Sequence, residues 1–174
     1  MTIRRTFDPT FLNEVVNHAE VRPWLGQDRA SRISMDALIA NPDNVALVND
    51  HGGFIYVMRA LREYEVHTQF LPRGRGASAV TAAKASLRYM FDVMNAKLIV
   101  TDVPDDNNGA MRLALGVGFE HVRDRFDEDG RLSGVEQFIH ELELTRQGFL
   151  NASKGWTPDK MPVSEMGAVA CQLH

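Results

Sequence analysis

The sequence predicts a single α/β domain of the mixed α+β type, with a mostly antiparallel central sheet flanked by helices and a C-terminal tail. Three observations lead to this prediction. Apolar residues recur at helical spacing near the start, the middle of the chain alternates with the period of strands, and helical spacing then returns. Because the links between the first predicted strands are short, these strands are expected to pair as antiparallel neighbours.

Composition narrows the function classes. The chain has 174 residues, of which 44% are hydrophobic, and a net charge of −4. This is enough apolar material for one core, and the acidic balance argues against nucleic-acid binding. The one cysteine, Cys171, excludes an intrachain disulfide framework, so we expect a reducing, cytoplasmic location. We find neither a signal peptide nor an apolar run of about 18 residues, and expect no membrane association.

Local signals place the first elements. Asp8 as N-cap and Pro9 as first helical residue predict a helix start, and Ser34 predicts the start of a second, short helix. The three strands of a meander are predicted over residues 45–48, 54–60 and 64–71. In the last of these the side chains alternate, so that one face carries Tyr64, Val66, Thr68 and Phe70 and the other carries Glu65, His67 and Gln69.

The second half of the chain is predicted to continue with a long amphipathic helix. This helix spans residues 77–95, and its apolar stripe includes Leu87 and Met90. The elements predicted after it are a strand over 97–103, a short helix over 108–115 and a hairpin of 119–126 with 135–144. We therefore predict a domain over residues 1–144, and a tail over 145–174 that wraps on the surface or is disordered.

The segment between the third strand and the long helix carries the clearest functional signal. Its residues are Phe70, Leu71, Pro72, Arg73, Gly74, Arg75, Gly76, Ala77 and Ser78. A helix N-terminus offers unpaired N–H groups and a positive dipole end, which favour an anion. Gly74 and Gly76 would let a phosphate approach the backbone, and Arg73 and Arg75 have forks that suit phosphate oxygens. We predict a pyrophosphate-binding loop; the simpler alternative is a tight turn with solvated arginines.

Two other phosphate-binding motifs fit less well. A Walker A loop requires Gly-Lys-Ser/Thr, which is absent. Gly74 and Gly76 match the start of a dinucleotide fingerprint, but Ala79 stands at the third glycine position. The strands before the loop are moreover predicted to be antiparallel, which is not the start of a βαβ unit.

On these residues the chain resembles the GNAT superfamily of N-acetyltransferases over about residues 2–144. The family signature, Arg/Gln-x-x-Gly-x-Gly/Ala, corresponds here to Arg73 through Ser78, with Ser78 replacing the last small residue. Asn107, Ala110 and the pair Gly118-Phe119 follow at the family's spacing. Arg22-Pro23-Trp24-Leu25 and the segment 64–68 are further similar to a phage-encoded branch of the superfamily.

The resemblance implies acetyl-CoA as cofactor and an amine as acceptor. It implies that the strand ending at Phe70 and Leu71 pairs with pantetheine, that Gly74, Gly76, Ala77 and Ser78 hold the pyrophosphate with the two arginines, and that Asn107 contacts the cofactor. The amine would attack the thioester directly, with a backbone N–H holding the oxyanion. Glu65 and His67 share one face, and either could be the general base; a solvated pair on the outer face is the alternative.

One departure from the family concerns the general acid. Many relatives carry a Tyr four residues before the Gly-Phe pair, where this chain has Ala114. A non-catalytic acyl-CoA-binding, structural or regulatory protein of the same fold therefore stays open as the alternative function. The resemblance leaves a homodimer open, and the scattered His residues predict no metal site.

Overall fold

A seven-stranded sheet forms the centre of the molecule, whose computed structural model describes residues 2–26, 31–128 and 135–156. Its strands are β1 (Arg4–Thr6), β2 (Val45–Asn49), β3 (Gly52–Ala60), β4 (Glu63–Phe70), β5 (Leu98–Pro104), β6 (Glu120–Asp127) and β7 (Gln137–Thr145). The helices are α1 (Thr10–Val16), α2 (Asp36–Ala40), α3 (Ala77–Asp92), α4 (Asn108–Gly116) and α5 (Arg146–Ala152). Short 3₁₀ turns lie at Arg22–Trp24 and Pro72–Gly74.

The strand order is β1-β2-β3-β4-β5-β7-β6, and every neighbouring pair is antiparallel except β4 with β5. The predicted mixed, mostly antiparallel sheet flanked by helices is therefore confirmed. The meander β2–β4 and the hairpin β6–β7 lie where the sequence predicted them. The sequence did not predict β1, since three polar residues carry no alternation; they pair with the free edge of β2.

Helices cover both faces of the sheet. The main core packs α3, α4 and α5 against one face and includes Tyr56, Met90 and Leu142. A second core packs α1 and α2 against the other face of β2 and β3, with Leu12 and Ile55 at its centre. The alternation predicted for β4 is confirmed at Tyr64, Val66 and Phe70, which are buried in the main core. It does not match burial near the end of the strand, where Thr68 is exposed and Gln69 is buried.

Polar side chains stabilise the starts of four of the five helices. Asp8 Oδ1 accepts from the Thr10 amide at 2.9 Å, so α1 begins one residue later than predicted. Ser34 Oγ likewise accepts from Asp36 N at the start of α2. Asn107 and Thr145 are N-caps of α4 and α5, where they accept from the amides three residues ahead.

Beyond residue 144 the chain remains packed for one further helix. Phe149 of α5 is buried in the main core and stacks on Phe91 at 5.6 Å between ring centroids. Arg146 donates to the Phe91 carbonyl and to Asp92, both at 2.7 Å. The domain boundary at residue 144 stays a prediction, and residues 157–174 of the predicted tail lie outside the described residues. Among the described helices, none has the length and apolar character that crossing a membrane requires.

Gly118 allows α5 to pack closely on the start of β6. Its φ is +102°, and a Cβ there would lie 2.6 Å from Ala152 Cβ and 3.1 Å from the Gly148 carbonyl oxygen. We expect Gly118→Ala to lower the free energy of unfolding by about 2 kcal/mol or more, because strain and overlap add. Urea unfolding followed by circular dichroism measures the change.

Gly116→Ala is the matched control. No atom lies within 4 Å of the Cβ that it would add, and Gly116 is helical. It should leave stability unchanged or raise it by up to about 1 kcal/mol. Equal unfolding midpoints for the two variants would contradict the packing role of Gly118.

Candidate active site

A gap opens in the sheet where β4 and β5 separate. Their parallel pairing covers only Glu63–Glu65 against Leu98–Val100. A bond of 3.1 Å from Thr101 Oγ1 to the Val66 carbonyl is the last link. Beyond this bond β4 continues to Phe70 and β5 continues to Pro104, but the two strands no longer pair with each other. Within the described chain no strand covers this edge of β4. Backbone groups along such an edge can pair with an extended ligand.

The end of β4 leads directly into the N-terminus of α3. The Leu71 amide donates to the His51 carbonyl at 2.8 Å, and the 3₁₀ turn then carries the chain to Gly76. Gly76 is the N-cap of α3, with φ +68° and ψ −136°, a conformation that favours glycine. No side chain caps α3, although it is the longest described helix. Its first-turn N–H groups, which include those of Ala77 and Ser78, thus lack the side-chain partner found at the other helices.

The two glycines of the loop do different things. No atom lies within 4 Å of the Cβ that Gly76 lacks, so the backbone is open to an approaching ligand there. A Cβ on Gly74 would lie 2.6 Å from His51 Cβ and 2.8 Å from Phe70 Cδ1. The protein itself therefore occupies the space beside Gly74. His51 supports the loop through this contact and its carbonyl, and no sequence signal joins the β2–β3 turn to this loop.

The two arginines of the loop also differ. Arg75 donates to the Glu20 carbonyl at 2.8 Å and to the Phe70 carbonyl at 3.3 Å, so its guanidinium ties the loop to the segment after α1. Arg73 is exposed and makes no hydrogen bond or ion pair with any residue that the structure describes. Arg73 is therefore the cation that remains available to an anion at the α3 N-terminus.

The two candidate bases lie side by side on β4, on the face away from α3. Glu65 pairs across the sheet with Val100, at the last rung before the gap. One Glu65 oxygen accepts from Arg59 Nε at 2.9 Å, and the other lies 3.6 Å from His67 Nε2. Glu65 has 15% of its side-chain surface exposed and His67 has 42%. His67 is thus the more accessible of the two, and no arginine pairs with it in the described structure.

Two further carboxylates share this face of the sheet. Asp102 and Glu141 are cross-strand partners on β5 and β7, and their side chains are only 12% and 14% exposed. Arg125 lies 2.5 Å from Asp102, and Arg123 lies 2.8 Å from Glu141. The sequence analysis missed both acids, although strand alternation from Val100 would have placed Asp102 on this face.

Neither Ala114, at the position of the family's general acid, nor any of the three tyrosines offers an exposed phenol. Ala114 is buried in the main core. Tyr56 is fully buried, its hydroxyl bonds to Ser86 Oγ at 2.7 Å, and burial raises its pKa. Tyr64 is buried and Tyr89 packs against the same core. Every tyrosine of the chain is thus a packing residue. Asn107 Oδ1 is engaged as the α4 cap, 3.1 Å from the Ala110 amide.

Solved structures match this architecture, although no protein-family model and no curated protein matches the chain. The spermidine N-acetyltransferase of Vibrio cholerae in complex with CoA and spermine has a TM-score of 0.68 at 19% identity, over 86% of this chain and 98% of that one. A point mutant of SpeG, a spermidine N-acetyltransferase from the same organism, has a TM-score of 0.69 at 20% identity, over 87% and 97%. The protein has the GNAT fold. The fold expected from the loop and element order is thereby confirmed; the phage branch stays a prediction.

The different contacts of Arg73 and Arg75 lead to a prediction about stability. Arg75→Gln removes charged donors from two backbone carbonyls and should lower the free energy of unfolding by about 1 kcal/mol. Arg73→Gln should leave it unchanged, because Arg73 has no partner among the described residues. Urea unfolding of both variants provides the comparison, and an equal loss in both would refute the assignment of separate roles.

Proposed function

We propose that this protein is an acetyl-CoA-dependent N-acetyltransferase that acts on a primary amine. The acceptor class comprises a protein N-terminus, a lysine side chain or a small amine, and transfer takes place by direct attack in a ternary complex. The observation that carries the proposal is the gap between β4 and β5, with the uncapped α3 N-terminus at its end. The Vibrio cholerae enzyme with CoA and spermine supports it through the shared fold.

The residues present fit the cofactor. The α3 N-terminus, with the open backbone at Gly76 and the amides of Ala77 and Ser78, would hold the pyrophosphate. Arg73 would add a charged contact, while Arg75 and Gly74 would position the loop. The free edge of β4, up to Phe70 and Leu71, would pair with the pantetheine amides. Asn107 would act through α4, whose N-terminus it caps.

Acetyl-CoA supplies an activated thioester at the gap. His67 takes a proton from the acceptor amine, directly or through water, so that the nitrogen can form its bond to the acetyl carbon. A backbone N–H on the open edge of β4 would be the donor available to an oxyanion at the gap. The CoA thiolate would take its proton from solvent, because Ala114 occupies the position at which many relatives carry a tyrosine. Glu65, held by Arg59, lies 3.6 Å from His67 Nε2 and is the alternative base.

The carboxylates on the sheet face that carries Glu65 and His67 do not by themselves select a polycation. Glu65, Asp102 and Glu141 on this face each pair with an arginine. An incoming polyamine would have to displace these arginines from carboxylates that are already neutralised. We therefore keep the acceptor at the level of a primary amine and do not transfer spermidine from the Vibrio enzyme.

The second candidate function is acyl-CoA binding without turnover, in a structural or regulatory protein. Ala114 favours this candidate, because an alanine offers no hydroxyl at the position where many relatives carry a tyrosine. Both candidates share the cofactor site and differ only in thiol release.

Cofactor binding tests what the two candidates share. Calorimetry should detect acetyl-CoA binding, and Arg73→Glu should weaken it at least about tenfold, equivalent to about 1.4 kcal/mol, because a carboxylate would face the pyrophosphate. Lys154→Glu is the matched control: it makes the same charge change after α5, which packs at the opposite end of α3. Equal affinities in the two variants, or no binding by the parent protein, would refute the pyrophosphate site.

Turnover tests catalysis. With a panel of peptides and small amines, thiol release should depend on acceptor, and His67→Ala should lower kcat on the order of 100-fold with acetyl-CoA affinity unchanged. If Glu65→Gln has the larger effect on kcat, Glu65 is the base. Binding without thiol release from any acceptor would favour the non-catalytic candidate.

A further inference from the structure

A cluster of titratable side chains lies on the β6–β7 hairpin and takes no part in the proposed chemistry. Asp124 Oδ1 lies 2.6 Å from His121 Nε2 and 2.7 Å from His140 Nδ1. The three facing atoms are all within 4.8 Å of one another. His121 and Asp124 come together because a β-bulge interrupts the β6 register between His121 and Arg123. His140 is opposite Asp124 on β7.

The cluster is on the opposite face from the candidate bases. Glu65 pairs with Val100, and Val100 pairs with Glu143, so these three share a face. His140 is three residues from Glu143, and strand alternation therefore turns it to the other side. A ligand at the cluster would not compete with an acceptor beside His67.

The chemistry of the cluster matches a transition-metal site. Two ring nitrogens contact the same Asp124 carboxylate oxygen, and each imidazole needs a proton there if no ion is bound. An ion would replace these protons and accept three lone pairs. Ligand atoms of tetrahedral zinc lie about 3.3 Å apart, given bonds of about 2.0–2.1 Å, and the spacings here differ from that by no more than about 1.5 Å.

The second nitrogen of His140 adds an independent feature. Its Nε2 lies 3.0 Å from Asp105 Oδ1, on the loop after β5. Histidines that bind metals characteristically donate their other N–H to a carboxylate, which fixes the ring and raises its basicity as a ligand. The His140 side chain is also the least exposed of the cluster, at 20%, and the T-shaped pair Phe126–Phe138 lies two residue pairs along the hairpin.

We propose that His121, Asp124 and His140 form a binding site for a late first-row divalent metal ion such as Zn²⁺, with Asp105 as the carboxylate behind His140. Three protein ligands leave a coordination position for water. The sequence predicted no metal site, because the three residues are separated along the chain and lack any ligand spacing. The pairing of β6 with β7 and the bulge bring them together.

Zn²⁺ alone is the probe for this site. The full chain carries Cys171→Ser in every variant, since a thiol outside the described residues could bind the ion itself. After treatment with chelator, the protein is titrated with Zn²⁺ by calorimetry at about pH 8, because metal binding displaces protons from the ligands. We expect a single equivalent to bind, and His121→Ala with His140→Ala to weaken binding at least tenfold. His18→Ala removes a histidine that follows α1 and is the control; this variant should bind Zn²⁺ as the parent does.

Two conservative variants keep the test valid if the double alanine variant does not fold. Asp124→Asn keeps a hydrogen-bond acceptor for the rings but removes the ligand charge, and should weaken Zn²⁺ binding at least tenfold. Asp105→Asn should weaken it by about 10–100-fold through the orientation of His140. Absence of Zn²⁺ binding by the parent, or undiminished binding by folded Asp124→Asn and the double variant, would overturn the proposal. None of these readouts involves acetyl-CoA.

Discussion

The short parallel contact between β4 and β5 is the constraint on which the rest of the structure depends. Only three residue pairs join these strands. Each strand has its full-length partner elsewhere, because β4 pairs with β3 up to Phe70 and β5 pairs with β7 up to Pro104. The sheet is in effect two antiparallel halves that meet at one narrow contact. Twist within each half carries the strands apart beyond it, which opens the gap without breaking either half.

This arrangement also determines what α3 must do. The helix connects the halves, since it starts where β4 ends and leads to the start of β5. Its buried face, with Ala82, Met90 and Phe91, packs in the main core that both halves of the sheet share. The loop before α3 is held to the β2–β3 turn by His51 and to the segment after α1 by Arg75. The helix N-terminus is therefore fixed relative to the edge of β4.

Much of this fold could be predicted because the periodicity is strong. The alternation of β4 and the apolar stripe of α3 each reflect one buried face, and the structure buries those faces. Elements held mainly by contacts distant in sequence were missed. The three residues of β1 have no pattern of their own, and α5 is held by Phe149 and Arg146, whose partners on α3 are more than 50 residues away.

In the candidate site, too, locally encoded features could be predicted and features that depend on distant residues could not. Local signals, such as a strand followed by glycines and a helix, indicated the loop. The separate duties of its residues could not be predicted, because they depend on groups distant in sequence. Arg75 is engaged by the carbonyl of Glu20, Gly74 by His51, and Glu65 by Arg59 from the neighbouring strand. For the same reason spacing could not indicate the cluster of His121, Asp124 and His140, which cross-strand pairing assembles.

The uncapped start of α3 is best understood as a stability cost that the fold retains. A side-chain cap is typically worth about 1 kcal/mol. Asn107 and Thr145 provide one at α4 and α5, and Asp8 and Ser34 accept from the first amides of α1 and α2. At α3 the N-cap is Gly76, whose backbone conformation largely excludes the residues that cap well. The longest helix, with the largest aligned set of peptide dipoles, thus presents its N–H groups to solvent beside an exposed arginine and an open strand edge. An anionic ligand with an extended amide-bearing arm satisfies both features at once, and neither the helix end nor the strand edge has another described partner.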